Sequence, residues 1–103
     1  MASHEIISSI VDRITEACHP KQIVLFGSHA TGTATEESDI DLLVVMESEL
    51  PPHKRNIALK RLFPRRSFSL DAFVYTPQEF SKYKNIPGTL AYNAAHYGKL
   101  IHG

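Results

Sequence analysis

Residues 23–45 read IVLFGSHATGTATEESDIDLLVV, two apolar runs separated by a polar segment. The first run is Ile23–Phe26, and the second begins at Ile40. Short runs rich in β-branched residues and bounded by turn formers are typical of buried strands. The link between the runs is too short for a helical crossover, so the two strands are predicted to be antiparallel. Gly27 and Ser28 would then lie beside the start of the second strand.

Two aspartates, Asp39 and Asp41, flank Ile40 at the start of the second strand. Residues two apart in a strand point to the same face, so both carboxylates are predicted to project together. At about 6 Å and an effective dielectric constant of about 20, they would repel by roughly 2–3 kcal/mol. A divalent cation would relieve this repulsion, and Mg²⁺ prefers carboxylates, waters and substrate phosphates as ligands. The alternative is a pair of solvated aspartates at a strand end.

The Gly27-Ser28 pair follows the first strand directly. Glycine allows a sharp turn and close approach to a ligand. Ser28 stands at the predicted start of a short helix, and free amides at helix N-termini bind phosphate. The pattern is neither Gly-x-Ser-x-Gly nor a P-loop. The alternatives are an ordinary strand-to-loop turn and, for the neighbouring His29, a surface loop histidine rather than a phosphate contact.

An amphipathic helix over residues 4–18 is predicted to precede the two strands. A third strand is predicted to follow them, at about Phe68–Tyr75. The long connection permits a right-handed crossover, which would place the third strand parallel to the second. Asp71 would then arrive at the same end of the sheet as Asp39 and Asp41. A strand-embedded carboxylate needs a partner. The alternative to a shared site is a salt bridge from Asp71 to a nearby arginine.

The connection itself is predicted to contain a helix from about Pro52 to Leu62, with Ile57, Ala58 and Leu62 facing inward. This region holds most of the positive charge, which is either a solvated helix face or a surface for an acidic partner or for nucleotide phosphates. Its cationic residues are His53, Lys54, Arg55, Lys60, Arg61, Arg65 and Arg66.

Residues Thr76 to Glu79 have the sequence of a capping box with proline at the first helical position. A helix is therefore predicted to begin there and to bury Phe80 and Tyr83. The elements predicted beyond it are a helix over Leu90–Tyr97, a stop at Gly98 and a short closing strand over Lys99–His102.

Composition limits the classes of function. A length of 103 residues predicts one domain, residues 1–103. The formal net charge is zero, so neither direct nucleic-acid binding nor attraction to anionic membranes is indicated. Cys18 is the only cysteine, the six histidines lack zinc-ligand spacing, and neither a signal peptide nor a membrane-length apolar run is present. These features predict a cytoplasmic protein.

The combination of Gly27-Ser28 with the segment SDIDLLVV, residues 38–45, resembles the signature of the DNA polymerase β-type nucleotidyltransferase superfamily. Within it, the chain is most similar to the minimal nucleotidyltransferases, the MNT proteins of bacteria and archaea. The LDAFVYTPQEF context around Asp71 matches the third carboxylate of that family. The resemblance implies an α/β (α+β) nucleotidyltransferase fold, a small mixed sheet of three to four strands flanked by four to five helices.

The resemblance also implies a function: Mg²⁺-dependent transfer of AMP from ATP to a hydroxyl, such as a tyrosine, of a HEPN-domain protein. Such partners are often ribonuclease toxins, for which MNT relatives act as antitoxins. Two Mg²⁺ ions are expected. The residues implied are Asp39, Asp41 and Asp71 for catalysis and metal binding, and Gly27, Ser28 and His29 for the nucleotide phosphates.

Two positions depart from the family pattern. Many relatives carry arginine directly after the Gly-Ser pair and again two residues later, where this chain has His29 and Thr31. This departure favours an alternative function, a catalytically weak binding module that occludes its HEPN partner. A third hypothesis is adenylylation of a small molecule.

Overall fold

The computed structural model of the chain describes residues 3–35, 38–64 and 68–103, with Ser3 described in its backbone only. Arg65 and Arg66 therefore lie outside the described residues. Within these ranges, none of the helices has the length and apolar character needed to cross a membrane. The elements are α1 (Ser3–Cys18), β1 (Gln22–Phe26), α2 (Ser28–Thr31), β2 (Ile40–Val45), α3 (Pro52–Lys60), β3 (Leu70–Tyr75), α4 (Pro77–Tyr83), α5 (Leu90–Tyr97) and β4 (Lys99–His102).

The four described strands form one mixed sheet in the order β3-β2-β1-β4. Strand β1 is antiparallel to both β2 and β4, whereas β2 and β3 are parallel. The predicted α/β class, with a small mixed sheet flanked by helices, is confirmed. The predicted directions of β2 and β3 are also correct, because a short link reverses the chain and the α3 crossover does not.

The sheet is covered on both faces. Helices α1, α2 and α3 pack on one face, where Ile10, Ile14 and Leu59 join alternate strand residues in a buried cluster. Helix α5 contributes Ala91 and Ala94 to a second cluster on the other face, and α4 packs against it through part-buried side chains. Since side chains alternate along a strand, the odd-numbered residues of β2 and β3 face α4 and α5.

Most predicted boundaries agree with the structure to within two residues. The last helix and strand have the predicted bounds, whereas β3 begins at Leu70 rather than Phe68. The Thr76 capping box is confirmed, since the Thr76 hydroxyl accepts a hydrogen bond from the Glu79 amide and the Glu79 carboxylate accepts one from the Thr76 amide. Phe80 and Tyr83 are partly buried against the second cluster.

The predicted inward face of α3 is wrong in part. Ile57 is 49% exposed and Ala58 is exposed, whereas Leu59 and Arg55 are buried. Leu62 does pack against the core. The physical reason is that Arg55 takes an inward position four residues before Leu59, which rotates the helix relative to the face that the apolar residues alone predict.

The buried Arg55 guanidinium group donates hydrogen bonds to Leu50, Val74 and Glu79. Its Nη1 and Nη2 atoms donate to the two Glu79 carboxylate oxygens at 2.6 and 3.2 Å, and its Nε atom donates to the Leu50 carbonyl at 2.6 Å. Bidentate pairs of this kind are among the stronger polar interactions in proteins. The hydrogen bond from Arg55 is the main cause that lowers the pKa of Glu79. The pair joins α3 to α4.

We expect Arg55→Ala to destabilise the protein by about 2–3 kcal/mol, because it leaves a part-buried Glu79 carboxylate and the Leu50 carbonyl without their donor. Urea denaturation measures the free energy of unfolding. Lys54→Ala, at the exposed neighbouring position, serves as the control and is expected to change it by less than about 0.5 kcal/mol. Equal effects of the two substitutions would contradict the role of Arg55.

Candidate active site

Strands β1, β2 and β3 bring the predicted site residues to one edge of the sheet, where β1 ends and β2 and β3 begin. Asp41 pairs with Phe26 of β1 on one side and with Asp71 of β3 on the other. Neighbouring strands lie about 5 Å apart, and both carboxylates are on the face toward α4 and α5. Gly27 follows Phe26 directly, so the glycine-serine bend and two of the three predicted aspartates meet at this edge.

Gly27 lies directly against the Asp41 carboxylate. Its φ angle is 75°, in the region that favours glycine, and a Cβ atom at this position would overlap Asp41 Oδ2. A side chain here would therefore be strained and would also displace the carboxylate. Glycine at position 27 is thus favoured by the backbone bend, and it also leaves room for the Asp41 carboxylate.

The short helix α2 begins at Ser28, as predicted. The Gly27 carbonyl accepts hydrogen bonds from the Ala30 and Thr31 amides. Helix geometry gives the Ser28 and His29 amides no acceptor within α2. These two N–H groups are therefore available at the start of α2, directly after the bend.

His29 and Thr31 occupy the two places where many relatives carry arginine. The His29 ring lies 3.3 Å from the Ser38 carbonyl through Nε2, and its charge acts to lower the pKa of Asp41. His29 therefore lies within electrostatic reach of the carboxylates. The Thr31 hydroxyl is instead bonded within its own turn, to the Gly27 carbonyl and to the Thr33 hydroxyl.

The carboxylates repel one another. Burial is the main cause that raises the pKa of Asp41, followed by the negative charges of Asp71 and then of Asp39. Asp39 itself is exposed, immediately before β2. The ordering agrees with the register, since Asp71 is directly opposite Asp41 whereas Asp39 lies beyond the end of the strand.

Asp71 has a cationic neighbour that the sequence analysis did not identify. Lys60 Nζ lies 3.7 Å from Asp71 Oδ1. The predicted alternative is an ion pair with a nearby arginine; among the residues that the structure describes, which exclude Arg65 and Arg66, the partner of Asp71 is a lysine at the end of α3. In the sequence, this contact was indicated by the position of Lys60, at the end of the helix that connects β2 to β3.

The donor groups at this edge fit a Mg²⁺ ion chemically, although not as a closed protein cage. Among residues 3–35, 38–64 and 68–103, no three histidine, cysteine, aspartate or glutamate side chains are arranged to hold a metal ion. Mg²⁺ is commonly bound by one or two carboxylates together with waters and substrate phosphates. The adjacent Asp41 and Asp71 supply such a pair, and their repulsion is the reason that a cation would be favoured there.

A cavity of about 550 Å³ lies beside the bend, on the α1 side of β1. This volume is within the range of small-molecule sites. Ile7, Val11, Leu25 and Ile101 provide its apolar walls. Its polar lining consists of His4, Ser8, Asp12, His29 and Lys99. His29 thus borders this cavity and also influences Asp41.

A mixed sheet with a glycine-serine bend beside carboxylates on adjacent strands is the arrangement that the family resemblance implies. The sequence profile of the nucleotidyltransferase domain family matches residues 5–96, and the chain belongs to this family. The family predicted from Gly27-Ser28 and the aspartates is therefore confirmed.

Two relatives from Methanocaldococcus jannaschii are similar to this chain. The protein named "Putative protein adenylyltransferase MJ1305" is 32% identical over 89 residues, which cover 75% of this chain and 60% of the relative. The protein named "Putative protein adenylyltransferase MJ0604" is 68% identical over 25 residues, which cover 24% of this chain and 25% of the relative. The chain thus matches less than two thirds of the length of each.

Gly27→Ala is expected to destabilise the protein by about 1–3 kcal/mol and to displace the Asp41 side chain. Gly88→Ala is the matched control, since Gly88 also has a positive φ angle of 89° but no atom within 4 Å of an added Cβ. Denaturant titration of both variants separates backbone strain from overlap with Asp41. If the two variants lose the same stability, the contact between Gly27 and Asp41 has no energetic weight.

Asp41→Asn is expected to raise the melting temperature at pH 7 by about 1–4 °C, a value that allows for solvent screening of a partly exposed group. The pKa of Asp41 is raised above its ordinary value of 3.8 in the folded state. The contribution of the protonated Asp41 carboxyl group to stability is therefore full at pH values below that ordinary value. It is lost as the pH rises through the folded-state pKa.

The gain from Asp41→Asn should accordingly disappear in scans below about pH 4. Asp12→Asn, on the exposed face of α1, removes the same charge and serves as the control. A gain that is equal for both variants, or that does not depend on pH, would contradict the assignment.

Proposed function

We propose that this chain is a Mg²⁺-dependent nucleotidyltransferase that moves AMP from ATP to a hydroxyl group of a protein. The observation that carries the proposal is the placement of Asp41, which lies opposite Asp71 across the β2/β3 register and against Gly27 at the bend. Membership of the nucleotidyltransferase domain family and the names of the two relatives support the same reaction class.

The proposed roles follow from position. Ser28 and the amides at the bend hold the outgoing phosphates, with His29 beside them. Asp39 and Asp41 would hold Mg²⁺, and Asp71 would complete the cation site and help to deprotonate the acceptor hydroxyl. When bound, Mg²⁺ neutralises the charge that develops on the phosphate oxygens in the transition state.

The reaction is an in-line displacement at the α-phosphorus. The acceptor oxygen forms a bond to the α-phosphorus, and the bond from that phosphorus to the oxygen bridging to the β-phosphorus breaks. Pyrophosphate leaves with the bonding electron pair, and the hydroxyl proton passes to the Asp71 carboxylate and then to water. In reactions of this type, positioning and charge stabilisation provide most of the rate acceleration.

The proposed acceptor is a tyrosine hydroxyl of a HEPN-family ribonuclease toxin, for which the chain would act as antitoxin. The support for this partner is the resemblance to minimal nucleotidyltransferases. The described chain offers the bend and its adjoining cavity. A folded protein partner would bring its own surface to this edge, which is open enough to leave Asp71 partly exposed.

A second candidate function is a binding antitoxin that neutralises its HEPN partner by occlusion, with little or no catalysis. The observation that favours it is the chemistry at positions 29 and 31. His29 replaces a guanidinium group by an imidazole ring, and the Thr31 hydroxyl is bonded within its own turn.

Incubation of this chain with labelled ATP, Mg²⁺ and a HEPN-domain protein separates these functions. We expect label on the partner, and we expect Asp39→Asn and Asp41→Asn to reduce its transfer at least about 100-fold while the protein remains folded. The control is Glu16→Gln, an exposed carboxylate on α1 that should retain full activity.

Other outcomes identify the alternatives. Toxin neutralisation that survives Asp41→Asn would support occlusion. Label on a small molecule in the absence of any protein partner would support a small-molecule adenylyltransferase. An Asp39→Asn variant as active as the parent protein would contradict the proposed role of the aspartates.

A further inference from the structure

Lys60 meets Asp71 from the opposite side of the sheet. It is the last residue of α3, whose Leu59 packs in the cluster formed with α1, whereas Asp71 projects toward α4 and α5. Because β3 is the outermost strand of the sheet on this side, the Lys60 side chain can pass around β3 to reach Asp71. Lys60 Nζ lies 3.7 Å from Asp71 Oδ1.

The contact is loose. The two side chains are 39% and 43% exposed, and the nitrogen-oxygen distance is longer than that of a direct hydrogen bond. Exposed pairs of this kind contribute little to stability and are screened by dissolved ions. The Arg55–Glu79 pair is different, because it is bidentate and its arginine is buried.

The ammonium group is nevertheless placed where positive charge is needed. Asp41, Asp71 and Asp39 form a group of like charges, and His29 acts on the Asp41 side of it. In the part of the chain that the structure describes, Lys60 is the cation that contacts Asp71. A divalent ion bound to Asp71 would have to share this carboxylate with Lys60 or displace it.

We propose that Lys60 is a positioning residue that competes with the divalent cation for Asp71. Without metal, it compensates the charge of this carboxylate. When a divalent ion binds, the ammonium group moves away from Asp71. The inference rests on the proposed function in one respect, that Asp71 belongs to the cation site.

Titration with Mn²⁺ alone, followed by the electron paramagnetic resonance signal of the free ion, tests this competition. We expect Lys60→Met to bind Mn²⁺ about three- to ten-fold more tightly than the parent protein, because a positive charge beside the ion is removed. Lys54→Met is the matched control, since it makes the same change of net charge at an exposed position of the same helix and should leave the affinity unchanged.

The same titration in an Asp71→Asn background tests whether the effect passes through this contact. There, Lys60→Met should change the affinity for Mn²⁺ very little. Lys60→Gln, with thermal melts of each variant, guards against loss of fold in the methionine variant. Equal affinities of the Lys60→Met and Lys54→Met variants, weaker binding by Lys60→Met, or no bound Mn²⁺ in any of these proteins would overturn the proposal.

Failure of this proposal can be distinguished from failure of the proposed function. The titration contains no nucleotide or acceptor, so its result does not depend on transfer activity. Tighter Mn²⁺ binding in Lys60→Met by a protein that transfers no label would support the competition and contradict the enzyme. Active transfer of label, together with an unchanged Mn²⁺ affinity in Lys60→Met, would support the enzyme and contradict the competition.

Discussion

Two carboxylates held side by side on adjacent parallel strands constrain this whole edge of the molecule. Asp41 and Asp71 are opposite each other in the β2/β3 register, so strand pairing holds their backbones side by side. Their repulsion raises the pKa of Asp41, after burial itself. A fold that keeps such a pair gives up some stability at neutral pH, and a bound cation would restore it. The bend at Gly27, which admits no side chain against Asp41, belongs to the same arrangement.

At the opposite end of β2 and β3, opposite charges are paired, whereas like charges lie together at the Asp41 end. Arg55 reaches inward from α3 and binds both oxygens of Glu79, and the Glu79 carboxylate also accepts a hydrogen bond from the Thr76 amide. Here the opposite charges are matched and the polar groups are satisfied. The stabilising ion pair and the repulsive carboxylates thus lie at the two ends of one parallel strand pair. This separation allows the electrostatic strain at one end to be tolerated by a well-bonded framework at the other.

The sequence predicted those features of the site that depend on local pattern and chain direction. Short apolar runs located β1 and β2, and the lengths of the links determined which strands are antiparallel or parallel. From these directions alone, Asp71 could be brought to Asp41. The sequence placed Gly27 beside the start of β2, but neither its close fit against the Asp41 carboxylate nor the pair between Lys60 and Asp71 could be predicted, because each depends on where a side chain lies relative to another element.

The orientation of α3 was mispredicted for a related reason. An arginine in a sequence is expected on the solvent side, and a carboxylate 24 residues away, together with the Leu50 carbonyl, makes the inward position of Arg55 favourable. Apolar periodicity therefore placed Ile57 inside, whereas the structure exposes it. Long-range pairing of charges overrode the local hydrophobic pattern.

The shared carboxylate of Glu79 has an evolutionary consequence. One side chain closes the capping box of α4 and also neutralises a buried guanidinium group, so a substitution at position 79 removes two unrelated kinds of support at once. Among homologous chains, we expect an apolar residue in place of Arg55 to occur together with a neutral residue at position 79, so that these two positions covary although they lie on different helices.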